Sequence, residues 1–186
     1  MQVRFLPRAH VIINSMIINT SFISPHTGLT WNVRYEELDN LDPVRNLPKP
    51  SEGGAAGALC FHENKLVLVY AAKKDSWSMP GGGLEEGETL EECITREIKE
   101  ETNMKVLELF PLGYDTFTNP ETQKKIYQAR FVAKVEPYGP FVIDLDPEQD
   151  ISAIKLIEPL EYKKYFDWGE RSDAMMRKAL KIVGLK

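Results

Sequence analysis

Gly82-Gly83-Leu84-Glu85-Glu86-Gly87-Glu88-Thr89-Leu90-Glu91-Glu92-Cys93-Ile94-Thr95-Arg96-Glu97-Ile98-Lys99-Glu100-Glu101-Thr102-Asn103-Met104 is a glycine turn that feeds a glutamate-dense helix. As a plain helix this stretch is poorly designed. Glu97, Glu100 and Glu101 fall at i, i+3 and i+4, so three carboxylates leave one face. Like charges at that spacing repel by roughly 0.2–0.5 kcal/mol per pair. Between Glu85 and Glu101, eight glutamates stand against only Arg96 and Lys99. Hard oxygen ligands clustered on a rigid element suit a divalent cation of the magnesium or manganese type. The alternative is a solvated acidic helix face, the ordinary explanation of a charge run.

The residues around the helix sharpen this choice. Trp77-Ser78-Met79-Pro80-Gly81-Gly82-Gly83 reads as a poor strand and as no helix. Its consecutive glycines allow close backbone approach and expose amides and carbonyls to a phosphate or a cation. No Lys-Ser/Thr pair follows, and the Gly-x-Gly-x-x-Gly spacing is missing, so neither a P-loop nor a dinucleotide fingerprint is present. Thr89 with Glu92 three residues later forms a capping-box pattern, which predicts Thr89 as the N-cap. Leu90, Ile94 and Ile98 make an apolar stripe that anchors the helix to a core. The Glu97 and Glu101 face adjoins that stripe, so these carboxylates are expected at the edge of the core, where an uncompensated charge is costly. Arg96 can reach Glu92 or Glu100 along the helix. Asn103 can end the helix in the left-handed conformation.

Gly82, Glu88 and the run Arg96-Glu97-Ile98-Lys99-Glu100-Glu101-Thr102-Asn103-Met104 reproduce the order and spacing of the signature box of the Nudix hydrolases, and the chain closely resembles that family. The one departure is Asn103, where the family usually has Gly. The resemblance covers about residues 54–183 and leaves the first 50 residues outside it. It implies a metal-dependent pyrophosphohydrolase that uses Mg2+ or Mn2+. Glu97, Glu100 and Glu101 are then the metal ligands, with the Gly81 carbonyl as a further candidate. Arg96 is expected to orient and charge-pair Glu97, the alternative being an ordinary surface salt bridge. Glu88 is expected to hold the turn of the box or an outer metal water. The general base in the family varies between the box helix and a later loop. Glu148 and Asp150 lie in such a loop; Asp150 matches the usual place better, and solvated loop acids are the alternative for both.

Length and composition agree with this picture. A chain of 186 residues, 42% of them hydrophobic, suits one domain with an appendage. The net charge is -5, and the segment 85–101, with eight Glu against Arg96 and Lys99, alone carries -6. The remainder has no basic footprint for nucleic acid. Cys60 and Cys93 read as small buried hydrophobes, and the isolated histidines, including His62 in a presumed turn, have no zinc spacing. Arg4 and Arg8 before Val11-Ile12-Ile13 faintly imitate a signal peptide, but Asn14, Ser15 and Asn19 interrupt the run. No stretch approaches a transmembrane span. A cytoplasmic protein without a membrane partner is the expectation.

Residues 9–35 read as two or three strands with a turn at Ser24-Pro25-His26-Thr27-Gly28. A linker-like boundary follows at Leu47-Pro48-Lys49-Pro50-Ser51-Glu52-Gly53-Gly54. Residues 55–61 and 65–71 form a hairpin, 106–118 and 125–135 long strands, and 151–157 another strand after the acidic loop Asp144 to Asp150. Met175, Met176, Ala179, Leu180 and Val183 predict a closing helix over 172–183. The expected fold is α/β: a sandwich of helices about a mixed sheet over residues 51–186, similar to the Nudix α/β/α sandwich, with a β-rich extension over residues 1–50.

Nudix members act on nucleoside diphosphates joined to a variable group. Pro120, placed 16 residues after Met104, resembles the ADP-ribose-type members, although a loop proline is commonly just a turn residue. The N-terminal β region is similar to that of ADP-sugar members, where it supports dimerisation, so a homodimer is possible. Trp31, Tyr35, Phe117 and Tyr127 could stack a base or simply pack a core. The expected substrate is ADP-ribose or another nucleoside diphosphate sugar. A nucleoside triphosphate or dinucleoside polyphosphate is the alternative. A non-catalytic nucleotide sensor, or an interaction role for residues 1–50, would be a function of a different class.

Overall fold

The computed structural model describes residues 16–23, 28–45, 55–139 and 151–185. In chain order these form β1 (Ile17–Ile23), β2 (Thr30–Glu37), the short α1 (Asp42–Arg45), β3 (Ala56–His62), β4 (Lys65–Ala71), β5 (Ser76–Ser78) and β6 (Gly81–Gly82). Then come α2 (Leu90–Thr102), β7 (Met104–Thr118), β8 (Lys125–Pro137), β9 (Ile151–Ile157) and α3 (Glu170–Val183). Short 3-10 helices cover Ala72–Lys74 and Pro159–Lys164. The stretch expected to be a poor strand contributes two very short ones, because β6 finds partners on β3 and β5 on β4. The presumed turn residue His62 closes β3 and contacts the Val135 carbonyl through Nδ1 at 3.1 Å.

Among the described residues the strands make one mixed sheet in the order β1-β2-β7-β8-β3-β4-β5, with β6 added to β3 and β9 to β4. The β3–β8 pair is parallel and the other pairs are antiparallel. The N-terminal strands therefore continue the main sheet, through β2 on β7. Residues 1–15, 24–27 and the linker-like 46–54 lie outside the described residues.

Strand alternation builds a core on each face. Ala56, Ala58 and Cys60 of β3 and Phe131, Ala133 and Val135 of β8 turn to one side and bury Cys93, Ile94 and Ile98 of α2. Leu59, Phe61 and Val132 turn to the other and bury Ala174, Met175 and Ala179 of α3. Both cysteines are free and buried, as small hydrophobes. Lys178 of α3 donates from Nζ to the carbonyls of Leu38 (2.6 Å) and Leu112 (3.1 Å), which ties the N-terminal strands to the closing helix. Among the described residues no helix is long and apolar enough to cross a membrane.

Candidate active site

The site begins with the start of α2. Thr89 is its N-cap: the Thr89 hydroxyl accepts from the Glu92 amide, and the Glu92 carboxylate accepts from the Thr89 amide at 2.9 Å. Glu92 is thereby committed to the cap and is not the partner of Arg96. The Cys93 thiol lies 3.1 Å from the Gly83 carbonyl and fastens the glycine turn to the first helical turn. At the far end Asn103 adopts φ 51° and its amide reaches the Lys99 carbonyl, the left-handed cap expected of it.

The glycine turn lies against the glutamate face because nothing projects from it. A Cβ on Gly81 would collide with the Ala56 carbonyl, and one on Gly82 would coincide with the Glu97 carboxylate. Gly82 and Gly81 pair with Ala56 and Gly57, and the Gly81 amide donates to Glu101 Oε2 at 2.9 Å. The box turn is thus clamped between β3 and α2.

Arg96 organises the acids. Its Nε and Nη2 donate to the two oxygens of Glu88 at 2.8 and 3.0 Å, and Nη2 also donates to the Gly83 carbonyl at 2.8 Å. Nη1 donates to Glu97 Oε1 at 2.9 Å and to Glu100 Oε2 at 3.1 Å. Glu88 in turn accepts from the Glu85 amide at 2.9 Å, so it holds the turn as well as the arginine. The hydrogen bond from Arg96 keeps the Glu88 carboxyl below its ordinary range. Such a two-pronged guanidinium–carboxylate pair is more directional than a lone surface ion pair.

The remaining acids are under electrostatic tension. Burial pushes the Glu97 carboxyl up, against the pull of Arg96. Glu101 is pushed up to about 7, first by burial and then by the charge of Glu97, the Gly81 amide opposing both. Glu100 is the most open of the three, with a side chain 45% exposed. Among the described residues no three acidic, histidine or cysteine side chains stand close enough together to hold one metal ion by themselves. What the face offers is a row of carboxylate oxygens with Arg96 between Glu97 and Glu100, and Glu101 short of positive charge. That donor set suits a hard divalent cation. Glu148 and Asp150 lie outside the described residues.

On the opposite face of the sheet lies a buried charged group that the sequence did not bring to notice. Asp115 of β7 is fully buried, and Arg130 of β8 and Arg171 of α3 are 7% and 6% exposed. Asp115 Oδ2 accepts from Arg130 Nε at 2.7 Å, and Gln128 Oε1 accepts from Arg130 Nη2 at 2.5 Å. The signal was present in β8, where Arg130 breaks the apolar run that Phe131 and Val132 continue, but its partners are far away in the chain. Of the four aromatics considered for base stacking, Tyr35 is a core residue bonded to the Leu112 carbonyl, and Phe117 packs edge-on against Phe22.

A family model of the NUDIX domain matches residues 52–179. The chain belongs to the Nudix family. Among its relatives, the RNA pyrophosphohydrolase of Sulfurovum sp. is 33% identical over 96 residues, covering 50% of this chain and 57% of the relative. The ADP-ribose pyrophosphatase of Methanocaldococcus jannaschii is 44% identical over 53 residues, covering 27% of this chain and 31% of the relative. The first curated relatives are matched over 13% to 63% of their own lengths. The Bacillus subtilis pyrophosphohydrolase BsRppH shares the fold at a TM-score of 0.62 and 23% identity, covering 89% of this chain and 98% of that one. The Nudix fold, with β1 and β2 in its sheet, is therefore the architecture of this chain.

Proposed function

We propose that this protein hydrolyses a pyrophosphate bond in a nucleoside diphosphate-linked substrate and that it uses Mg2+ or Mn2+. The observation that carries the reading is the single face of Glu97, Glu100 and Glu101, spaced by Arg96 and laid against the Gly81–Gly82 strand. Glu97, Glu100 and Glu101, with the Gly81 carbonyl, would hold the cation. When bound, such an ion neutralises phosphate charge and acidifies a water. The chain's own part is positioning. Arg96 holds Glu97 and Glu100 at a fixed separation that their mutual repulsion would otherwise widen. Glu88 fixes Arg96, and the Gly81 amide aims Glu101. Asp150, or else Glu148, is the proposed base that takes the proton from the attacking water. Fixed charge and orientation of this kind provide most of the catalysis of phosphoryl transfer. A sensor has no use for three repelling carboxylates, which supports the hydrolase over the binding module.

The finer reading is ADP-ribose or another nucleoside diphosphate sugar. A substrate with groups on both sides of the pyrophosphate needs an extended site, and β1 and β2 enlarge the sheet beside β7. A second reading, hydrolysis of a pyrophosphate bond carried by an RNA, is favoured by the 33% identity with an RNA pyrophosphohydrolase over 96 residues, a stretch longer than the box. A hydrolysis screen that separates and quantifies the products by chromatography decides, because ADP-ribose yields two phosphomonoesters and no free phosphate. ADP-ribose, diadenosine polyphosphates, common and oxidised nucleoside triphosphates and a 5′-triphosphate RNA are compared by kcat/KM with Mg2+ or Mn2+. A tenfold preference corresponds to about 1.4 kcal/mol of transition-state binding. ADP-ribose leading by that margin upholds the first reading and the RNA leading upholds the second. No turnover of any of them refutes the hydrolase.

A further inference from the structure

Asp115, Arg130 and Arg171 carry one more positive than negative charge in a buried place. Asp115 faces both guanidiniums and satisfies only one. Its Oδ2 takes the Arg130 Nε hydrogen bond, while its Oδ1 makes only a longer ion pair with Arg171 Nη1, at 3.3 Å. Among the described residues, Arg171 Nε and Nη1 are enclosed and find no hydrogen-bond partner. Burial of a cation with unused donors is expensive unless another group completes it.

The surroundings indicate what that group is. The Trp168 ring lies 4.7 Å from the Arg171 guanidinium carbon and 5.8 Å from that of Arg130, and the Phe117 ring lies 5.7 Å from Arg171. Trp168 is half-buried and belongs to the irregular stretch before α3. Its backbone is fastened through its amide to Ser172 Oγ at 3.0 Å, and its ring also packs on Phe166 at 5.0 Å between centroids. The cluster lies behind the glutamate site, with one strand pair between them. Arg130 Nη1 lies 2.8 Å from the position of a Cβ on Gly57, and Gly57 pairs with Gly81, whose amide holds Glu101. Arg130 thus approaches from the α3 face the same strand pair that Glu101 approaches from the α2 face.

We propose that Arg171, supported by Arg130 and covered by Trp168, is a phosphoryl-binding subsite that receives a phosphate of the nucleotide substrate. A guanidinium presents several donors to phosphate oxygens, and an anion cancels the surplus charge. Trp168 swings off the arginines as the phosphate enters. The ligand class rests on the pyrophosphohydrolase reading, but the cationic cluster does not.

The test is a titration of ADP, with adenosine as the phosphate-free control, into protein in excess chelator. It is followed by calorimetry and by the emission of Trp168 in a variant carrying Trp31→Phe and Trp77→Phe. ADP should bind at least tenfold tighter than adenosine and change the Trp168 emission. Arg171→Gln should weaken ADP at least tenfold without altering adenosine, and Arg171→Lys should recover part of the loss. Asp115→Asn, which removes the competing anion, should tighten ADP even as it lowers Tm. That opposite sign keeps the test open if Arg171→Gln folds poorly. Equal affinity for ADP and adenosine, or a Tm loss in Arg171→Gln with ADP affinity unchanged, overturns the subsite. ADP binding that follows this pattern in a protein that hydrolyses nothing with Mg2+ or Mn2+ upholds the subsite and sinks the hydrolase reading. Intact hydrolysis with ADP affinity indifferent to Arg171 does the reverse.

Discussion

The carboxylate of Glu97 occupies the space where a side chain on Gly82 would stand. The glycine is therefore required by a neighbour across the turn and not by its own backbone, which is outside the left-handed region. Gly82→Ala must push the Glu97 carboxylate away from the turn and off Arg96. The expected result is a folded protein with kcat at least tenfold lower, about 1.4 kcal/mol in the barrier, and a Tm lowered by less than in Arg96→Met, because Glu88 keeps its arginine. Steady-state kinetics beside a melting curve check this, and wild-type turnover would remove Glu97 from the site.

Glu101 is the buried member of the acidic row, held by a single backbone amide and close to two like charges. Glu101→Gln removes the repulsion and keeps the shape. In excess chelator at neutral pH the variant should melt higher than the wild type. Addition of Mg2+ or Mn2+ should raise the wild-type Tm more than that of the variant, and hydrolysis should nearly vanish. Full activity of Glu101→Gln, or wild-type activity in excess chelator, would falsify the metal assignment.

What could be read from the sequence was whatever lay close together along it. The Thr89 cap, the Asn103 end, the Ile94 and Ile98 stripe and the shared face of Glu97, Glu100 and Glu101 all depend on spacings within one helix, and the structure reproduces them. The 56–62 and 65–71 hairpin was legible for the same reason. The partner of Arg96 was less so. Helical spacing offered Glu92 or Glu100, and adjacency Glu97; Glu97 and Glu100 are indeed bonded, but the cap consumes Glu92, and the turn returns Glu88 to the arginine from the other side. Of the Asp115, Arg130 and Arg171 group, only Arg130 left a trace in the sequence, as a charge inside the apolar run of β8. The group's members meet only because Asp115 faces Gln128 in the β7–β8 register and α3 crosses that face of the sheet.

Arg96 binds four partners at once, which a lysine ammonium cannot reproduce. Arg96→Met should destabilise the protein by about 1–3 kcal/mol, since the largely buried Glu88 and Glu97 carboxylates lose their charged donor. Arg96→Lys should recover only part of that stability and less of the activity. Denaturant melts with kcat/KM for both variants decide the point. If lysine restores both in full, Arg96 is a surface ion pair and not the organiser of the row.

The acids of the later loop are tested by kinetics. If Asp150 takes the proton from the attacking water, Asp150→Asn should lower kcat far more than it raises KM, while Glu148→Gln should be mild. The reverse pattern transfers the role to Glu148. Indifference to both places the base on α2, where Glu101, already pushed up to about 7 by burial, is the acid suited to it.

Asn103 is the one departure from the family's glycine, and its geometry explains why it is tolerated. At φ 51° the residue ends α2 in the left-handed region, where its amide still reaches the Lys99 carbonyl. Glycine enters that region without a Cβ penalty, asparagine does so more readily than most residues, and alanine pays about 1 kcal/mol. Asn103→Gly should therefore leave Tm unchanged or slightly raised, and Asn103→Ala should lower it. Neither should alter KM, because the cap lies beyond the carboxylates it helps to align. Chemical denaturation of the three proteins gives the order. If alanine proves as stable as glycine, the left-handed cap contributes nothing, and the end of α2 is held instead by the packing of Met104 in the core.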